Sequence, residues 1–204
     1  MKLSGDKIDA LKEILNIGSG QAAGALNDLV GSFVHMDVSN VEVLSYKDMN
    51  ERFPEYSKDH FSVTMEFKGN FTGKSAMLFT EESVLTLVKA TSDIDPDHSE
   101  IETFKTGTMF EIGNIVLNSM MGSIANMFNE HLTFELPAVN AASISDLFNV
   151  DKGQACEIML AQSQLTIAEL NVRNDIMICF DLKSYTHLFE FIAQMIVTNM
   201  MDNH

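Results

Sequence analysis

The sequence predicts an α+β fold, an α/β two-layer arrangement in which a helix, three strands and a helix occur twice over. Two observations carry that prediction: a helical frame that returns at a fixed spacing, and the same order of elements around each copy. Glu13-Ile-Leu-Asn16-Ile reappears as Glu111-Ile-Gly-Asn114-Ile, and both Glu13 to Glu111 and Asn16 to Asn114 span 98 positions. The chain therefore reads as one domain, 1–204, made of a pseudo-twofold duplicated unit whose repeats run about 1–95 and 96–204.

The first helix covers Asp6 to Gly31. At about 100° per residue, Ile8, Leu11, Leu15, Gly18, Ala22, Leu26 and Leu29 share one stripe, the expected buried face. Asp9, Glu13 and Asn16 cluster opposite that stripe and are expected in solvent, with Gly20, Ala23, Gly24 and Asn27 continuing the exposed side. A glycine costs about 1 kcal/mol relative to alanine inside a helix. Three of them, Gly18, Gly20 and Gly24, predict close approach: the sheet beneath for Gly18, a partner for the other two. Gly31 suits the left-handed residue that closes the helix.

Val34 to Tyr46 then reads as a strand with a register break, and Lys47 to Asp59, holding Pro54, as a loop with one helical turn. Phe61, Val63, Met65 and Phe67 alternate, the pattern of a half-buried strand from His60 to Lys68. Gly69-Asn70 turns that strand into Phe71 to Thr80. Thr80 is placed to cap a short helix whose Glu81 and Glu82 sit at the positive end of its dipole. Thr91 to Ser99, with three aspartates and Pro96, connects the halves.

The second half repeats this order. A helix from about Glu100 to Asn129 precedes a strand near Leu132 to Ala142, a helical turn near Ile144 to Val150, strands near Gln154 to Ala168 and Val172 to Leu182, and a closing amphipathic helix to Asp202. On the long helix Phe110, Leu117, Met120, Ile124, Met127 and Phe128 lie opposite Glu111 and Asn114. Asn118 and Ala125 extend the polar row, and Met121 and Gly122 flank it. A flat polar row edged by methionine suits transient docking, because methionine adapts to irregular partners.

Composition narrows the function classes. With 204 residues, 46% of them hydrophobic, the chain is long enough for a sizeable core, and its formal net charge is -16. That acidity argues against nucleic acid or anionic membrane as partner, since no basic patch is present to release counterions. Cys156 and Cys179 sit in apolar runs and read as small buried hydrophobes in a reducing compartment. No apolar run nears the roughly 18 residues that span a bilayer, so a cytoplasmic protein is expected. The six histidines lack metal-ligand spacing, no phosphate-cradling loop is present, and no Ser, Cys or His in the polar rows has a base beside it. A complete free-standing enzyme is not expected from these residues, whereas a site completed by a partner is.

These residues resemble the CheC/CheX/FliY family of chemotaxis phosphatases, whose signature is Asp or Ser, three residues, Glu, two residues, Asn, twenty-two residues, Pro. In the first half Asp9, Glu13 and Asn16 match, and Ser39 stands at the proline; in the second Glu111, Asn114 and Pro137 match, and Gly107 stands at the Asp/Ser position. Two such sites without an appended motor-switch domain make the architecture CheC-like. The resemblance implies a continuous antiparallel sheet from both halves, with the two long helices side by side on its surface. It further implies hydrolysis of the aspartyl phosphate of a CheY-like response regulator in two-component signalling. Asn16 and Asn114 would orient the attacking water, and Glu13 and Glu111 would pair with the regulator's lysine. Asp9, Gly20, Asn118 and Met121 would contribute to docking. No cofactor is expected on this chain; the Mg²⁺ would arrive on the regulator. CheD is a further implied partner, the protein is expected as a monomer or weak dimer, and the competing class is a binding or scaffold protein without turnover. A structural oligomer built on the methionine-edged face is a third class.

Overall fold

The computed structural model describes residues 5–58, 60–92, 99–148, 157–180 and 182–202. The predicted connection at 93–98, the start of the strand expected from Gln154, and Cys156 lie outside the described residues, as do the side chains of Met195 and Ile196. The first half holds α1 (Gly5–Val30), β1 (Val34–Ser45), α2 (Tyr46–Arg52), a 3-10 turn (Pro54–Ser57), β2 (His60–Gly69), β3 (Gly73–Phe79) and α3 (Glu81–Thr91). The second holds α4 (Ile101–Met127), β4 (Leu132–Phe134), β5 (Ala138–Ala142), α5 (Ile144–Phe148), β6 (Glu157–Ile167), β7 (Leu170–Phe180) and α6 (Leu182–Asp202).

The local signals act as their chemistry dictates. Gly31 closes α1 at φ +63°, donating its N–H to the Asn27 carbonyl at 3.0 Å. The Thr80 hydroxyl caps α3 by accepting from the Ser83 N–H. The stretch after β1 is more helical than expected, because Ser45 caps α2 through the Asp48 N–H and Pro54 then starts the 3-10 turn.

All strands join one antiparallel sheet in the order β1-β6-β7-β3-β2-β4, with β5 also on β2. The order is palindromic by repeat: the first strand of each half pairs with the second strand of the other half, and β3 and β7 meet at the centre. The sheet is thus continuous across the two repeats. Its main core lies under the long helices and includes Leu11, Leu15 and Leu26 of α1, Ile112, Val116 and Met120 of α4, and Phe67, Ile176 and Phe180 of the sheet. The opposite face is not bare. A smaller core of Leu44, Met49, Tyr56, Leu147, Phe148 and Met177 lies there, under α2, the 3-10 turn and α5.

The helices α1 and α4 lie side by side, and their contact corrects the expectation for Gly18. A β-carbon on Gly18 would come 2.7 Å from the Met120 Cα, so this glycine admits α4, not the sheet. The glycine that lies against the sheet is Gly113, where a β-carbon would come 2.3 Å from Val63. Because α4 is wedged between α1, α3 and the sheet, its apolar arc is wider than a surface helix needs. Met121 is 0% exposed and Ala125 is buried, so the expected methionine edge does not reach solvent. On α1 the buried arc is rotated toward α4: Ala23 is buried, whereas Leu29 is 49% exposed. No helix among the described residues is long and apolar enough to cross a membrane.

Candidate functional site

In the first copy the two signature side chains part company. Glu13 is exposed and enters no hydrogen bond or ion pair among the described residues; Asp9, one turn earlier, is exposed as well. Asn16 is half-buried and turned onto β1. Its Oδ1 accepts the Val38 N–H at 2.8 Å, and its Nδ2 donates to the Val38 carbonyl at 3.4 Å. The reason lies in the sheet: β1 is an edge strand, paired only with β6, and its outer N–H and C=O groups need partners. The polar side of α1 supplies them. Lys12 Nζ donates to the Ser39 carbonyl at 2.7 Å, and Asn27 Oδ1 accepts the Val34 N–H at 2.8 Å. Asn27 is exposed as expected, whereas the half-buried Asn16 departs from its expected place in solvent, because a helix projection holds no information about a strand 22 residues away.

The second copy is arranged differently. Glu111 is exposed and unpaired among the described residues, and Asn114 is half-buried one turn on. Asn118 Nδ2 donates to both the main-chain oxygen and the side-chain Oδ1 of Asn114, each at 2.7 Å. The Asn114 Nδ2 has no partner among the described residues. No strand edge claims this amide, for the adjacent strand is broken between β4 and β5 and Pro137 fills the gap.

Ser39 and Pro137 occupy the same kind of place in the two edge strands. Between Val38 and Asn40 the register of β1 slips by one residue against β6, leaving Ser39 as the bulged residue. Four steps from Phe134 to Ala138 face three steps from Phe67 to Thr64, so Leu136-Pro137 holds the matching extra residue. The Ser39 hydroxyl stabilises its bulge by donating to the Gln162 carbonyl at 3.1 Å. A proline has no N–H to give and is at home at such an interruption. Ser39 is therefore a different residue at a preserved irregularity.

No family model matches the chain. In sequence it is similar to the CheY-P phosphatase CheC of Bacillus subtilis, 23% identical over 138 residues, which is 66% of this chain and 66% of that protein. In structure it is similar to FliY of Thermotoga maritima, with a TM-score of 0.75 at 17% identity, covering 95% of this chain and 99% of that one. The chain has the CheC/CheX/FliY fold. A FliM middle domain from H. pylori shares it at a TM-score of 0.60 and 12% identity, covering 93% and 99% of the two chains. The chain spans about two thirds of the curated CheC it matches, and the structural likenesses, all below 25% identity, are likenesses of fold.

On this CheC-type frame the remaining residues named from sequence fall into place. Gly20 is exposed, and a β-carbon there would meet nothing within 4 Å, so the helix backbone is open to an approaching surface. Asn118 is half-buried and spent on Asn114, which makes it a neighbour of the amide more than a docking group. Met121 is withdrawn from any docking role by its burial beneath α4. Exposed apolar side chains that sequence reading did not single out stand near the two copies: Ile17, beside Asn16, at 42%, and Leu136, beside Pro137, at 84%. The signal for Ile17 is present in the sequence, since an isoleucine follows each Asn in the repeated frame, whereas the frame does not mark Leu136. Among the described residues no group of His, Cys, Asp and Glu is placed to hold a metal ion.

Proposed function

We propose that this chain accelerates hydrolysis of the aspartyl phosphate of a CheY-like response regulator, and that the copy on α4 carries the turnover. The observation behind this reading is the pairing of an unpartnered exposed Glu111 with an Asn114 whose Nδ2 is uncommitted. The regulator would bring the phosphoryl group, the Mg²⁺ and a lysine. Asn114 Nδ2 would donate to the oxygen of a water and hold it in line with the phosphorus. Water oxygen then bonds to phosphorus as the bond to the aspartyl oxygen breaks; the aspartate leaves as carboxylate and the water proton passes to the phosphate product. Glu111 would take the regulator's lysine in a charge-assisted hydrogen bond and fix the register of docking. An acyl phosphate is already labile, so a gain of about 10² to 10³, roughly 3 to 4 kcal/mol, suffices, and positioning one water is a task of that size.

A binding role without turnover is favoured at the first copy by a specific observation: Asn16 is already bonded at both ends of its amide to Val38. Its exposed Glu13 remains available for docking. The FliM likeness is compatible with a chain of this fold acting as a scaffold. A phosphorylated regulator mixed with the protein separates the two roles. Phosphate release faster than the regulator alone, lost in the Asn16→Ala, Asn114→Ala double variant, supports the phosphatase; binding with an unchanged release rate supports the scaffold.

A further inference from the structure

We propose that Asn118 is a positioning residue that locks the Asn114 amide in one orientation, so that α4 offers the water a donor and not an acceptor; this rests on the phosphatase reading above. The two ends of an asparagine amide are nearly equal in shape, and an exposed one turns freely. Here the main chain removes the ambiguity. The Asn114 carbonyl can only accept, so the end of Asn118 lying 2.7 Å from it is Nδ2. That same NH₂ lies 2.7 Å from the Asn114 side chain, and two NH₂ groups cannot bond each other. The end of Asn114 facing Asn118 is therefore Oδ1, and Nδ2 is the other end, with both hydrogens unspent among the described residues.

The first copy provides the contrast. The residue four after Asn16 is Gly20, which has no side chain to hold an amide, and there Asn16 has turned onto the β1 edge instead. Spacing four places Asn118 one helical turn beyond Asn114, on the same face. A group fixed before the substrate arrives need not be ordered during the reaction, and freezing one such side chain is worth about a fivefold to tenfold rate factor.

The test uses the full chain with Asn118→Ala and Asn118→Asp, each checked for unaltered thermal unfolding. In Asn118→Ala, kcat for phosphate release falls about fivefold to tenfold while KM for the phosphorylated regulator stays within about twofold. In Asn118→Asp a carboxylate draws Nδ2 inward and leaves Oδ1 outward, so kcat falls further than in the alanine variant. A raised KM with unchanged kcat would make Asn118 a docking residue and overturn the proposal. Side-chain amide NMR of ¹⁵N-labelled protein supplies a readout that does not need turnover. Asn114 is ordered in the parent and mobile in Asn118→Ala; equal mobility in both would overturn the proposal. Absence of phosphate release by the parent protein would instead remove the phosphatase reading, with the amide measurement still deciding whether Asn118 fixes Asn114.

Discussion

Gly18 of α1 and Met120 of α4 approach so closely that a β-carbon on Gly18 would lie 2.7 Å from the Met120 Cα. The two nearest obstacles, the Met120 Cα and the Ser119 carbonyl oxygen at 3.1 Å, are both backbone of α4, so neither can swing aside as a flexible side-chain tip would. Gly18→Ala is expected to lower stability by about 1 to 3 kcal/mol by pushing the helices apart. Gly24→Ala, on the same helix with nothing within 4 Å of the added carbon, is expected to raise stability by about 0.5 to 1 kcal/mol. Urea unfolding of the two variants measures the opposite signs, and a common sign would contradict the packing described for α1 and α4.

The two signature asparagines are predicted to differ in stability as well as in chemistry. Asn16→Ala removes both bonds to the Val38 main chain, and a typical loss of about 1 to 2 kcal/mol follows. Asn114→Ala removes an acceptor for Asn118 on an accessible helix face, with an expected change within about 0.5 kcal/mol. Chemical denaturation of both checks this; equal losses would mean that the edge bonds of Asn16 contribute nothing.

Docking through Glu111 predicts a charge-specific effect. Glu111→Lys would face the regulator's lysine with a like charge, and KM should rise at least about tenfold at low salt and recover partly as salt is added. Titrating KM against ionic strength tests it. A KM indifferent to the substitution would place docking elsewhere.

On the far face of the sheet, Tyr56 donates its phenol to Asp175 Oδ2 at 2.6 Å. Burial raises the Asp175 pKa above its ordinary 3.8, and the Tyr56 bond and the nearby His60 pull it only partly back. The sign follows from the raised value: the protonated form is favoured in the fold, so stability tied to Asp175 is greatest below pH 3.8 and is lost as pH rises through the raised folded value. The Tyr56 phenol is itself raised, chiefly by burial, so its contribution persists below pH 10 and is lost above it. Tyr56→Phe should push the Asp175 pKa higher still. It should cost about 1 to 3 kcal/mol at neutral pH and less at an acidic pH below the raised Asp175 value, where the carboxyl carries its own proton. Carboxyl NMR titration and denaturation at the two pH values check both points, and a pH-independent cost would contradict them.

Much of this arrangement was legible in the sequence because it is local or periodic. The repeated Glu-x-x-Asn-Ile frame, the Thr80 cap, the Gly31 terminus and the alternation of Phe61 to Phe67 all depend on neighbours within a few residues. What the sequence did not reveal depends on distant packing. Gly18 looked like a sheet contact, but only the approach of α4 shows which surface occupies its missing side chain. Met121 fell beside the polar row on a helical projection, yet α4 is covered on more sides than a projection assumes, and the residue is buried. Asn16 faced away from the apolar stripe as predicted; that direction led to an unpaired strand edge, which no pattern within α1 announces. Ser39 looked like a departure at a signature position, and the register shift beside it reveals the same bulge that Pro137 marks in the other half.

The central claim is that one copy of a duplicated site, on α4, completes a catalytic centre brought by another protein. Phosphate release from a phosphorylated response regulator should be measured with Asn114→Ala and Asn16→Ala separately, at matched folded concentrations. The account predicts that Asn114→Ala abolishes the acceleration, about 10² or more, while Asn16→Ala retains it within about threefold once its lower stability is allowed for. Full activity in Asn114→Ala, or loss confined to Asn16→Ala, would contradict it.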